Sequence, residues 1–182
     1  MSTPDSSVEN RPAAAQRADH PAPSFRGVNH FSLTVTDLAA SERFYTEVLG
    51  FTVVLDFGYG LVCLHKQAGF TIGLIRHEDG TSAPFSELQT GLDHLGLTAA
   101  SRDELVAWEE RFWAHDVTFT PIRDMDLGYH LNFRDPDGIA LELFAPNAVY
   151  AAALEEVRVR NLSDAEVRAA AERLVAGEYV RR

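Results

Sequence analysis

The sequence contains a single cysteine, Cys63, and no run of the roughly 18 uninterrupted apolar residues that a membrane span needs. One cysteine cannot form an internal disulfide, so we expect a hydrophobic core rather than covalent cross-links to hold the fold together. The first residues also lack the charged segment and apolar run of a signal peptide. These absences predict a soluble protein of the reducing cytoplasm.

Positive charge is also scarce, because 16 Lys and Arg residues stand against 27 Asp and Glu residues, which gives a net charge of −11. Such a surface repels the phosphate backbone that a nucleic-acid-binding protein must neutralise. We therefore expect neither a nucleic acid nor a membrane as the partner of this chain.

An order of one strand, one helix and three strands is predicted twice along the chain. This internal duplication gives His30 and His94 equivalent places in the two units. Residues 1–24 precede the repeats, and their polar, Pro- and Ala-rich composition predicts a disordered tail. Capping residues predict a further helical extension after the second repeat. The predicted units are a first βαβββ module (25–80), a linker (81–90), a second βαβββ module (91–146) and a C-terminal helical extension (147–182).

Within the modules, the turn and capping residues predict the bounds of each element. We expect Asp37 to cap the first helix and Gly50 to end it, and we expect Ser101 and Ser163 to open later helices with Glu three residues on. The predicted strands are 28–35, 52–57, 60–65, 70–76, 93–98, 117–122, 129–134 and 138–144. Together these elements predict an α+β fold with a cup-shaped mixed sheet.

Three polar residues interrupt apolar strands on the face that should point away from the helices. Alternate residues of a strand share a face, so the apolar neighbours of His30 and His94 place both imidazoles on the face opposite the helices. Glu142 lies between two leucines in the last strand, where an unpartnered charge is costly. Two imidazoles and one carboxylate on one face are typical ligands of a divalent metal ion.

The run "H-x-x-L-x-V-x-D-L" from His30, the run "S-x-x-F-Y-x-x-V-L-G-F" that ends at Phe51, and "FRDPDGIALELF" at 133–144 resemble the vicinal oxygen chelate superfamily. This superfamily contains glyoxalases, extradiol dioxygenases, fosfomycin-resistance transferases and bleomycin-binding proteins. The resemblance covers about residues 27–145 and includes the paired βαβββ modules.

The resemblance assigns His30, His94 and Glu142 as metal ligands, and it leaves the fourth ligand position of glyoxalase I on Gly73, which has no side chain to offer. It also implies that His130 and Asn132 face the cup. His130, Asn132 and Arg134 share one strand face, which makes His130 a candidate acid or base, since imidazole titrates near neutrality, and Asn132 and Arg134 candidate substrate-binding residues.

A His-His-Glu set is similar to the Fe(II) site of extradiol dioxygenases, so the first hypothesis is a dioxygenase acting on a catechol-like substrate or a 2-oxo acid. The second hypothesis keeps the metal, as Mn, Ni, Co or Zn, in a glyoxalase-like lyase, isomerase or transferase. The third is a drug- or natural-product-binding protein without catalysis. The resemblance also suggests a homodimer.

Overall fold

Two four-stranded sheets, each covered by a helix, make up the computed structural model, which describes residues 27–175. The α+β class predicted from the sequence is confirmed. The predicted disordered tail, 1–24, lies outside the described residues. The elements are β1 (His30–Thr34), α1 (Leu38–Arg43) continued by a π-helical segment (Phe44–Val48), β2 (Thr52–Asp56), β3 (Gly60–His65), β4 (Phe70–Ile75), β5 (Leu95–Thr98), α2 (Arg102–Ala114), β6 (Arg123–Met125), β7 (Gly128–Arg134), β8 (Ala140–Pro146), α3 (Ala148–Val159) and α4 (Asp164–Val175).

The two sheets repeat one topology, which confirms the duplication predicted from the sequence. The strand orders are β1-β4-β3-β2 and β5-β8-β7-β6, and in each sheet the first strand runs parallel to the last strand of its module. The strand β1, which begins with His30, and the strand β5, which follows His94, are therefore edge strands of their sheets. Their outer backbone groups are not paired within either sheet.

Helix starts follow the predicted capping residues. The Asp37 carboxylate accepts hydrogen bonds from two backbone N–H groups of the first turn, at 2.9 and 3.1 Å. The Ser101 hydroxyl accepts from the N–H of Glu104 at 3.2 Å, and the Ser163 hydroxyl accepts from the N–H of Glu166 at 3.4 Å. Each bond satisfies a donor that the helix itself leaves free.

The strand predicted at 117–122 is wrong in its bounds, because β6 lies at Arg123–Met125. Residues 118–120 do bond to β7, with the Thr120 N–H donating to the Asn132 carbonyl at 2.8 Å. However, the Ile122 N–H, which is the next donor on the same edge, donates to the Glu109 carboxylate at 3.1 Å, and the pairing is limited to a single bridge between Phe119 and Phe133.

The helix-covered faces of the two modules share one core. The ring of Phe133, in the second module, lies 6.4 Å from that of Phe44 in the first and 4.6 Å from that of Phe112 in α2. The Arg111 guanidinium donates to the Val48 carbonyl at 2.6 Å, which ties α2 to the end of the first module's helix. The modules therefore pack helix side to helix side, and their opposite sheet faces point outward.

Cys63 lies inside this core and is fully buried. Burial raises the pKa of its thiol to about 11, so the thiol stays protonated and unreactive at neutral pH.

The described part of the predicted C-terminal extension, 147–175, contains α3 and α4, which contact each other, and α3 also contacts β8; residues 176–182 of the prediction lie outside the described residues. Within residues 27–175 no helix combines the length and apolar character that crossing a bilayer would require.

Candidate metal centre

The outward faces of the two sheets carry the polar residues that the alternation predicts. In β1, His30, Ser32 and Thr34 are exposed, whereas Leu33 between them is buried. In β8, Glu142 is only partly exposed between two buried leucines, Leu141 and Leu143. We call the outward face of the second sheet, which carries Glu142, the cup face.

Glu142 is held by one histidine and faces a gap left by a glycine. Its Oε2 accepts a hydrogen bond from Nδ1 of His130 at 2.7 Å, and its side chain is only 13% exposed. Gly96 of β5 stands directly opposite in the register, and a Cβ there would lie 3.8 Å from Oε1 of Glu142. One carboxylate oxygen is thus occupied by His130, while the other lies next to Gly96 of β5.

His94 and His30 have the same local arrangement at the start of their modules. The Nδ1 of His94 lies 2.5 Å from Oδ1 of Asp93, and the Nδ1 of His30 lies 2.9 Å from Oδ1 of Asn29. With the proton on Nδ1 in each case, the lone pair of Nε2 is left as a donor to a metal ion. Metal-binding histidines usually donate their second N–H to such an oxygen.

Asn29 and Asp93 were missed from the sequence, although a signal was present. Each precedes its histidine at the equivalent place of the duplication, and each offers a side-chain oxygen of the same geometry. A repeated oxygen-bearing residue before a repeated histidine indicates a supporting hydrogen bond.

The single chain brings only part of the predicted ligand set together. His94 lies just before β5, two residues from Gly96, which is paired with Glu142 on the neighbouring strand. His30 belongs to the other sheet. Accordingly, no group of three or more His, Cys, Asp and Glu side chains within residues 27–175 of one chain could hold a metal ion.

Gly73 is buried beside β1, where an added Cβ would come within 2.8 Å of the Ser32 hydroxyl oxygen. A larger side chain at this position would require the Ser32 side chain to move.

The three candidate residues of β7 share the cup face, but they differ in what they contact. Asn132 pairs with Glu142 across the strands, and the His130 ring lies 4.7 Å from that of Phe144. The Arg134 guanidinium instead donates to the Glu87 carboxylate at 2.6 Å and to the Gly138 carbonyl at 3.1 Å. This pairing lowers the pKa of Glu87, and it ties the segment between the modules to the second sheet.

A buried carboxyl group joins the modules behind the cup. Asp135 accepts hydrogen bonds from the Tyr45 hydroxyl at 3.2 Å and from the backbone N–H of Ile139 at 2.8 Å. It is only 6% exposed, and burial raises its pKa to about 6. Burial likewise raises the pKa of Tyr45 well above its usual value. The charged form of Asp135 is therefore disfavoured in the folded chain.

We expect this carboxyl group to make the fold more stable in mild acid. A pKa raised above the unfolded value of about 3.9 contributes stability that is complete below that pH and is lost as the pH rises through about 6. From pH 5 to pH 8 the free energy of unfolding should fall by about 1–1.5 kcal/mol from this group alone.

Urea unfolding of wild type and of Asp135→Asn across that pH range measures this effect. The difference between the two curves isolates Asp135, because the other titrating groups are common to both proteins. A difference that does not change with pH would contradict the assignment.

A largely apolar cleft of about 790 Å³ lies between the two modules, where the edge strands β1 and β5 contribute to its walls. Its walls come from both modules and include Phe31, Phe51, Leu97 and Trp108. The edge strands β1 and β5 thus both border this cleft.

The comparisons with known proteins fit this architecture. The family model described as "Glyoxalase/Bleomycin resistance protein/Dioxygenase superfamily" matches residues 27–143, and the chain belongs to that superfamily. The uncharacterized protein YaeR of Escherichia coli (strain K12) is 31% identical over 126 residues, which cover 64% of this chain and 94% of that protein.

A second relative, the metallothiol transferase FosB of Staphylococcus haemolyticus, is 27% identical over 123 residues, covering 65% of this chain and 82% of FosB. Among solved structures, a glyoxylase/bleomycin resistance protein/dioxygenase domain from Frankia sp. EAN1pec superposes with a TM-score of 0.62 at 36% identity. It covers 69% of this chain and 95% of that domain. The match to the family model ends at residue 143, before the C-terminal extension.

Proposed function

We propose that this protein is a metal-dependent enzyme that holds one divalent cation with His30, His94 and Glu142, and that His30 comes from a second copy of the chain. The observation that carries the proposal is the geometry around Glu142. Its Oε1 faces Gly96, and His94 lies two residues before Gly96, with Nδ1 bonded to Asp93. The donor set therefore suits a divalent ion and needs one more ligand.

A symmetric dimer would supply that ligand. The edge strands β1 and β5 have unpaired outer edges, and an apolar cleft lies between them. A two-fold axis through this cleft would set β1 of one chain beside β5 of the other and bring the partner's histidine to the cup face. The same contact would cover the apolar cleft walls, which favours association.

When bound, the cation would act as a Lewis acid on two adjacent oxygens of a small substrate. The chain's own residues would bind the substrate and move protons. Gly96 leaves room beside Glu142, and Asn132 offers an amide to a substrate oxygen on the same face. His130, with Nδ1 donating to Glu142, keeps Nε2 as a proton acceptor. Arg134 would have to leave Glu87 before it could bind a substrate.

Two classes of reaction use this donor set. The first is oxygenation of a catechol-like substrate or a 2-oxo acid with Fe(II). The second is a lyase, isomerase or thiol-transfer reaction with Mn, Ni, Co or Zn, which the 27% identity to a metallothiol transferase favours. A cytoplasmic location accompanies either one, since the one cysteine is a buried free thiol.

Elemental analysis tests the metal site directly. Protein purified without added metal should contain close to one divalent ion per chain, and Glu142→Ala should lose it. Glu110→Ala, which removes an exposed carboxylate from α2, is the matched control and should keep the metal. Wild type without metal, even after anaerobic addition of Fe(II) or Mn(II), would leave only the binding-protein alternative.

Oxygen uptake separates the two reaction classes. Protein reconstituted anaerobically with Fe(II) is mixed with a panel of catechols and 2-oxo acids, and dissolved oxygen is followed with an electrode. Substrate-dependent uptake that Glu142→Ala abolishes supports the oxygenase. Thiol-dependent or isomerising turnover without oxygen uptake supports the second class.

A further inference from the structure

The C-terminal extension begins beside the cup face, although it lies beyond the part of the chain that matches the superfamily, 27–143. Asn147 fixes the start of α3 in three ways. Its side-chain oxygen accepts from the N–H of Tyr150 at 2.9 Å, its side-chain amide donates to the Asp126 carbonyl at 2.8 Å, and its backbone N–H donates to the Leu127 carbonyl at 3.0 Å. The helix is thereby tied to the turn that precedes β7.

A continuous series of contacts runs from this helix to the carboxylate of the site. The Tyr150 ring meets the Phe144 ring edge to face with centroids 5.9 Å apart, and Phe144 lies against His130 with centroids 4.7 Å apart. His130 in turn bonds to Glu142 at 2.7 Å. Aromatic pairs at such distances have a preferred geometry, so each ring restricts the orientation of the next.

Gly128 allows the Phe144 ring to lie close to the backbone of β7. A Cβ at that position would come within 2.8 Å of the Phe144 ring, so the ring lies directly on the glycine backbone. Phe144 is therefore confined between Gly128 on one side and Tyr150 on the other. Without the tyrosine ring, Phe144 would gain freedom to move away from His130.

We propose that α3 is part of the site and that Tyr150 is a positioning residue, which through Phe144 holds the His130 imidazole with Nδ1 toward Glu142. The contacts among Tyr150, Phe144 and His130 are present in the fold itself, whereas their effect on a bound cation rests on the proposed function. The extension then acts on the cup by fixing the residue that orients the carboxylate.

The test measures the tautomer of His130 directly in metal-free ¹⁵N-labelled protein at pH 8.5, where an ordinary imidazole is neutral. Long-range ¹H–¹⁵N correlation spectra report which ring nitrogen carries the proton, and His130→Gln assigns the signals by their loss. Wild type should show a single Nδ1–H form.

Tyr150→Phe should keep that form, because the ring remains, whereas Tyr150→Ala should give a mixture of both tautomers. Leu154→Ala, at an exposed residue of the same helix, is the control and should match wild type. If Tyr150→Ala does not unfold cooperatively, Tyr150→Leu replaces it, since leucine fills space without an aromatic edge. An unchanged Nδ1–H form in a folded Ala or Leu variant overturns the proposal.

Mn(II) titration followed by electron paramagnetic resonance gives a second measurement. Loss of the Tyr150 ring should weaken Mn(II) binding by about threefold to tenfold, less than the 10–100-fold typical of a direct supporting partner. Wild type that binds no Mn(II) would remove the proposed function, and the tautomer measurement would still decide the role of Tyr150.

Discussion

Chains carrying His30→Ala should bind no divalent metal by themselves, and neither should chains carrying Glu142→Ala, but a mixed dimer of the two should regain about half of the wild-type metal. Each site of the proposed dimer takes His30 from one chain and His94 and Glu142 from the other. In the mixed dimer one site contains both substitutions and the other contains neither. Only a site shared between chains gives this recovery.

The expected losses in the single variants are large. Removing a supporting partner of a ligand already costs about 10–100-fold in metal affinity, so removing a ligand should cost more than about a hundredfold. The mixed dimer is isolated by co-expressing the two chains with different affinity tags and purifying on both tags in turn. Metal content is then measured by elemental analysis beside each parent variant.

Two outcomes would contradict the shared site. A mixed dimer as empty of metal as its parents would mean that His30 and Glu142 act within one chain. A His30→Ala protein that keeps its metal would mean that His94 and Glu142 suffice without this histidine. A mixed dimer of Glu110→Ala with wild type controls for tagging and should carry the full metal content.

The cup face was predictable from the sequence because it depends on local rules. Strand alternation placed His30 and Glu142 on outward faces, and the same rule was applied to His94 in a strand predicted at 93–98, although β5 begins one residue after His94. The caps Asp37 and Ser101 also follow from short-range hydrogen bonds. Each of these features involves residues a few positions apart.

The relation between the modules was not predictable in the same way, since it depends on contacts between residues far apart in sequence. Tyr45 bonds to Asp135, and Arg111 bonds to the Val48 carbonyl, across separations of 90 and 63 residues. No sequence pattern predicts either contact. These contacts join the modules through their helix sides, and this is why one chain separates His30 from the cup face.

The contact of Phe144 with Tyr150 was missed for a related reason. The sequence predicted a helical extension over 147–182, but helical periodicity alone does not specify which surface a terminal helix covers. The side-chain bond from Asn147 to the Asp126 carbonyl decides it, and that bond needs the turn before β7 to be in place.

His130→Gln should lower turnover by about 10²-fold or more while changing metal content by less than about twofold. Glutamine keeps an N–H that can donate to Glu142 in place of Nδ1, so the carboxylate stays oriented. Glutamine has no nitrogen that accepts a proton near neutral pH, so an acid or base step at Nε2 is lost. The variant thus separates proton transfer from support of the ligand.

Turnover is measured with the best substrate from the oxygen-uptake and thiol-transfer panels, on protein whose metal content has been determined in the same sample. His77→Gln is the matched control, because His77 is an exposed histidine just after β4 and outside the cup face. A tenfold or greater loss of metal with proportionate loss of turnover would make His130 a supporting partner of Glu142 rather than a catalytic residue. Unchanged turnover at full metal content would exclude His130 both as a catalytic acid or base and as a supporting partner of Glu142. The 2.7 Å hydrogen bond between His130 and Glu142 would then not be needed for metal binding.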